Sequence, residues 1–138
     1  MIREDYIMRL IKQLADAIAR MAGFNRKRDY DAALAESERA WTDLLGVPRE
    51  LVEVVDTSTL AGMLRDPEKM RAAAELLIEE ARALTGKADP LNAAMRSRRA
   101  IELYLEARAI DPRPTDDASI LELSRVVPAA HLDPRYRT

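Results

Sequence analysis

Glycine and proline punctuation constrains this chain more than any other feature of its sequence. Four glycines and seven prolines interrupt 138 residues, and the stretches between them are helix-favouring. Apolar side chains recur there at three- and four-residue spacing, the period of one helix face. The Val-rich run at residues 51–55 has strand propensity, but no second strand-like segment exists to pair with it. A lone strand is not viable. The expected class is therefore all-α, a compact stack of about five to seven helices.

Ile7, Leu10, Ile11, Leu14, Ile18 and Met21 form one stripe and predict a first helix of about five turns ended by Gly23. Asp29 offers an N-cap to a second helix carrying Tyr30, Ala33, Leu34, Ala40, Trp41, Leu44 and Leu45. Gly46 and Pro48 stop it, and the two helices should form a hairpin. Residues 48–65 read as one or two short helices, with Leu51 and Val52 in the first and Leu60, Met63 and Leu64 in the second. Asp66-Pro67 and Asp89-Pro90 each place a capping side chain before a proline at the first helical position. They predict one helix to Gly86 and another ending before Asp111-Pro112, because the residue before proline avoids the helical region. Ser119 and Glu122 match a capping box for a short last helix through about Val126. Residues 1–127 thus read as a single helical domain, and 128–138 as a C-terminal tail.

Composition agrees, since 48% hydrophobic with 33% charged residues is globular, and a chain of this length can bury about two-thirds of its surface. There is no cysteine, which removes disulfide frameworks and thiolate sites and fits a cytoplasmic setting. Arg9, Lys12, Asp16 and Arg20 break up the apolar N-terminus, so neither a secretory signal nor a membrane span is expected. The net charge of −2 disfavours a generally nucleic-acid-binding surface. Charge is nevertheless uneven along the chain. Residues 1–28 carry seven basic and three acidic groups, 29–80 five and thirteen, and 81–138 ten and eight.

Two stretches are similar to each other: Asp29 to Leu34 continuing to Ala40-Trp41, and Ala100 to Ala107 continuing to Ile110-Asp111-Pro112. Both resemble the second helix of a tetratricopeptide repeat, in which small alanines let the paired helix approach, an aromatic fills the groove and proline ends the unit. Ala100, Tyr104, Ala107 and Pro112 match those positions; Tyr30, Ala33 and Ala40 match in the first copy, where Ser37 replaces the aromatic. The helices before them lack the aromatic, leucine and glycine pattern of that repeat. Over nearly the whole chain, Asp5 to Ile11, Leu44-Leu45-Gly46 and Ala100 to Ala107 resemble an uncharacterised bacterial family of small helical proteins. These resemblances imply two tetratricopeptide-like helical hairpins and a protein-binding role, and supply no chemistry.

The sequence offers no catalytic, cofactor-binding or metal-ligating residues. The one histidine, His131, falls in the expected tail, a poor place for a general base. No Glu and His three residues apart occur for carboxylate-metal chemistry, and the glycines are too scattered for a phosphate loop. Glu75, Glu79 and Glu80, flanked by Arg71 and Arg82, read as surface ion pairs. Trp41 reads as core. The expected function is a non-enzymatic protein–protein interaction module, an adaptor or scaffold binding a peptide or partner helix. The alternative is an anionic ligand or nucleic acid held by the basic cluster of Arg20, Arg26, Lys27 and Arg28. Arg96, Arg98 and Arg99 form a second basic group, but successive helical positions diverge. Tyr6, opening the first helix, either staples it or is a partner contact, and the wide stripe of that helix either caps the stack or pairs with its counterpart in a homodimer. Repeat units need neighbours or caps to close their apolar faces.

Overall fold

The computed structural model describes residues 2–137; Met1 and Thr138, the outer ends of the expected domain and tail, lie outside the described residues. Among the described residues there are seven α-helices and no strands, as the punctuation requires. They are α1 (Ile2–Arg26), α2 (Tyr30–Arg39), α3 (Arg49–Val54), α4 (Thr57–Leu64), α5 (Pro67–Gly86), α6 (Pro90–Ile110) and α7 (Pro114–Leu123). No helix among them is long and apolar enough to cross a membrane. The long α5 is the centre of the stack. It pairs with α6 in one antiparallel hairpin, while the α1–α2 hairpin packs on its other side and α4 and α7 close around α6.

Local chemistry sets the boundaries. Asp29, Asp56, Asp66 and Asp89 each accept from backbone amides of the first turn that follows, satisfying donors with no intrahelical partner. Both hairpin turns are the same device, a Schellman close followed at once by an aspartate cap. The Asp29 amide donates to the Phe24 carbonyl at 2.8 Å and that of Arg28 to Asn25; Asp89 and Ala88 repeat these bonds to Leu84 and Thr85. Arg28 (φ 62) and Ala88 (φ 59) occupy the left-handed position that favours glycine.

The correspondence runs on at a sixty-residue offset: Ala33, Ser37 and Ala40 of α2 match Ala93, Ser97 and Ala100 of α6, and all six are buried. Small residues there allow close approach of the paired helix. The stretches likened above to a repeat both fall in second helices of hairpins, although their alanines align differently from this offset.

Several expectations need correction. α1 runs through Gly23 to Arg26, because its end is set by the turn at Arg28 and not by the first glycine. α7 begins at Pro114 rather than at the Ser119–Glu122 box. Asp116 accepts from the Arg113 amide at 3.2 Å, and Arg71 of α5 grips its carboxylate at 2.7 and 2.9 Å. That guanidinium holds the Asp116 carboxyl below the usual range against the opposing effect of burial. The segment after Pro128 is no free tail. Leu132 is buried, the Asp133 amide donates to Glu102 at 2.9 Å and the Tyr136 hydroxyl to Glu106 at 2.5 Å. Finally, Leu10, Leu14, Ala17 and Met21 of the α1 stripe are buried inside the chain, with Ile11 and Ile18 packed against the same core. The stripe is therefore covered within the chain itself, the arrangement of a helix that caps the stack.

Candidate functional site

The polar centre of the molecule is Glu80, 2% exposed and in the middle of α5. Its position follows from periodicity, since residue 80 lies three and four places from Leu77 and Leu76 on the buried face. A charge buried there must be fully partnered, and it is. One carboxylate oxygen accepts from the Ser37 hydroxyl at 2.5 Å and the Trp41 indole at 3.0 Å; the other accepts from Arg49 at 2.7 Å and Arg96 at 3.0 Å. The network joins α2, the wide turn after it, α3, α5 and α6. That turn, Ala40–Leu44, is π-helical, with the Leu45 amide bonded to the Ala40 carbonyl. It carries fully buried Trp41 and ends at Gly46, whose φ of 70° suits glycine.

Arg49 and Arg96 reach outward from Glu80 to Glu53, a solvent-exposed carboxylate that lies 2.7 Å from Arg96 and 3.6 Å from Arg49. Beyond them opens a pocket of about 270 Å³ between α3 and α6, walled by Arg49, Arg96, Arg98, Arg99, Val52 and Met95. Arg99 donates to the Val52 carbonyl near the end of α3. Burial pushes the Arg99 guanidinium below its ordinary value; Glu102 opposes this, and Arg98 and Arg49 add to it. Two buried donors of the lining residues, Arg49 Nη1 and Arg98 Nε, have no hydrogen-bond partner.

Arg96, Arg98 and Arg99 therefore meet, contrary to the sequence expectation that they diverge. Residues 92, 95, 96 and 99 share one helix face, and the long Arg98 side chain joins them from beside Met95. Arg20 is paired with Glu36, which also takes Arg39 at 2.8 Å. Burial raises the Glu36 carboxyl, yet these two guanidiniums hold it below its usual value. Arg26, Lys27 and Arg28 remain exposed on the turn after α1, as does Tyr6 on α1 itself, which is 57% exposed. Trp41 is core, as expected. Glu79 and Glu80 are buried, 5% and 2% exposed, and only Glu75 of that trio lies at the surface.

Two further depressions continue from the arginine pocket. Met95 and Arg98 also line an apolar shelf with Leu91, Ala94, Val126 and His131, and Val126 in turn borders a groove of about 410 Å³ between α5, α6 and α7. Leu91 is 74% and Val126 68% exposed. Among the described residues no group of carboxylate and imidazole side chains is arranged to hold a metal ion. Compared with protein-family models, curated proteins and solved structures, the chain matches none. The site is accordingly read from its own chemistry.

Proposed function

We propose that this chain is a non-enzymatic binding module that takes a partner protein segment along the surface running from the α6 shelf to the α7 groove. The observation that supports this reading is continuity. The shelf and the groove share Val126 as a wall, and large apolar side chains stand exposed along them. Such contiguous exposed apolar surface beside polar edges is typical of protein-binding faces. An extended or helical segment would place alternate or i, i+3, i+4 side chains into these depressions.

The test compares the parent with Leu91→Asp and Val126→Asp, both at exposed positions. The tagged proteins are used to capture partners from native lysate, with stepwise salt elution. A defined protein held by the parent through high salt and lost by both variants is the expected result, since apolar contact is insensitive to ionic strength. Identical capture by parent and variants, or capture lost at moderate salt, would refute the assignment to this surface.

A further inference from the structure

We propose that the arginine-lined pocket between α3 and α6 binds a phosphate monoester, with Glu53 held on its rim as a built-in competitor. Four guanidiniums, those of Arg49, Arg96, Arg98 and Arg99, wall a single pocket of about 270 Å³. They face two carboxylates, buried Glu80 and rim Glu53, so guanidiniums are in excess at the pocket wall. Two further carboxylates, Glu102 and Asp56, act on Arg99 from outside the pocket lining, Glu102 also accepting from the Thr57 hydroxyl and the Asp133 amide. A phosphate monoester at neutral pH carries a charge of about −2 and three strong acceptor oxygens, which answers the surplus. Two nitrogens of these same guanidiniums, Arg49 Nη1 and Arg98 Nε, are buried without a partner, and a small shift of either side chain would bring an unused donor to the ligand. Buried donors in native proteins are nearly always satisfied, and those that are not call for a physical explanation.

The remaining walls define the rest of the ligand. Met95, half-exposed beside the guanidiniums, supplies apolar surface suited to a small carbon body. The volume lies below the ~300–1,000 Å³ of sites for drug-sized ligands, which points to a small ester rather than a nucleotide. Glu53 is 57% exposed and lies across Arg96 and Arg49, where a ligand oxyanion would make the same contacts. An arriving phosphoryl group displaces it at little cost, because a solvent-exposed carboxylate contributes little to stability.

Phenyl phosphate, inorganic phosphate and acetate serve as probes in calorimetric titrations of the full chain at constant ionic strength. Saturable binding of phenyl phosphate, weaker binding of inorganic phosphate and none of acetate are expected. Arg98→Gln should weaken phenyl phosphate by about tenfold or more, the loss of one charge-assisted contact. Glu53→Gln, which removes the competitor, should tighten it several-fold, and Lys27→Gln, at the exposed turn after α1, should leave it within about twofold. Trp41 emission confirms that each variant is folded. No saturable binding at millimolar phenyl phosphate, equal losses in Arg98→Gln and Lys27→Gln, or weaker binding in Glu53→Gln would each overturn the proposal. Because no partner protein enters this assay, its outcome is independent of the shelf and groove reading.

Discussion

Replacing Glu80 should be among the most damaging single changes available to this chain. Its carboxylate is 2% exposed and is the shared acceptor of Ser37, Trp41, Arg49 and Arg96. Truncation to alanine leaves the indole N–H buried without an acceptor, at about 1–3 kcal/mol. It also leaves two guanidiniums without their central counter-charge, which in fully buried pairs costs about 3–5 kcal/mol. Arg49 and Arg96 are 14% and 17% exposed and keep Glu53, so the lower part of that range applies to them. Together these give about 4–5 kcal/mol for Glu80→Ala. Glu80→Gln keeps an acceptor and should cost about 3 kcal/mol. Against a total stability of roughly 5–15 kcal/mol, either loss lowers the melting temperature by about 10 °C or more. Urea unfolding followed by emission of Trp41, the only tryptophan, measures this directly because that indole touches the mutated side chain. Ser37→Ala, which removes one hydrogen bond to the carboxylate, should cost about 1.5–3 kcal/mol and calibrates the scale. A Glu80→Ala protein within about 0.5 kcal/mol of the parent, with unchanged denaturant sensitivity, would refute the argument that this carboxylate organises the stack.

Ala88 holds a left-handed conformation at the α5–α6 turn, so Ala88→Gly should raise unfolding free energy by about 0.5–1 kcal/mol in the same titration, despite the greater freedom of glycine in the unfolded chain. Gly86→Ala should do the opposite: a β-carbon there would collide with the Tyr30 ring, and overpacking costs about 1–3 kcal/mol even though alanine is the better helix former. Burial, with a smaller contribution from Glu75, pushes the Tyr104 phenol up to about 12 from an ordinary value near 10. Its contribution is complete below the unfolded value and is lost as pH rises through the folded one, so about 3 kcal/mol should disappear between about pH 10 and 12. Tyr104→Phe should flatten that alkaline slope; an unchanged slope would be inconsistent with the burial argument, and what persists is expected from Tyr136, whose hydroxyl is likewise raised by burial and by Glu106.

Helix boundaries were legible wherever one residue type decides them. Aspartate before proline starts α5 and α6, and the structure begins both helices at that proline. Reading failed where a tertiary contact overrides a local signal. Gly23 does not stop α1, because the hairpin closes at Arg28, and the Ser119 box is bypassed because Asp116 already caps α7 while held by Arg71. The Glu80 network was missed although a signal existed. Position 80 falls on the apolar stripe of α5, and a glutamate there is either an error of register or a buried, partnered charge. Its partners Ser37, Arg49 and Arg96 come from three other helices, and no spacing rule along the chain connects them.

The two hairpins explain why the arginine pocket lies where it does. At the sixty-residue offset Arg20 corresponds to Glu80 and Glu36 to Arg96, and both pairs bridge their hairpins with the signs exchanged. In the first hairpin the bridging carboxylate sits on the second helix and Arg39 joins it there, so the adjoining groove is walled by Arg20, Arg39, Glu36 and Asp43 and is neutral. In the second hairpin the carboxylate sits on the first helix, at the centre of the stack, where Trp41 and Ser37 also hold it. The exchange leaves position 96 to an arginine facing outward, beside Arg99 at the position equivalent to Arg39. Arg49, brought in by α3, has no counterpart in the first groove, and Arg98 replaces Glu38. One groove is thus balanced and the other is lined by guanidiniums in excess. The exchanged ion pair is neutral in both hairpins and decides only that the arginine of the second pair faces the pocket; the excess of guanidiniums there comes from Arg49 and Arg98, and from the absence of a counterpart to Asp43.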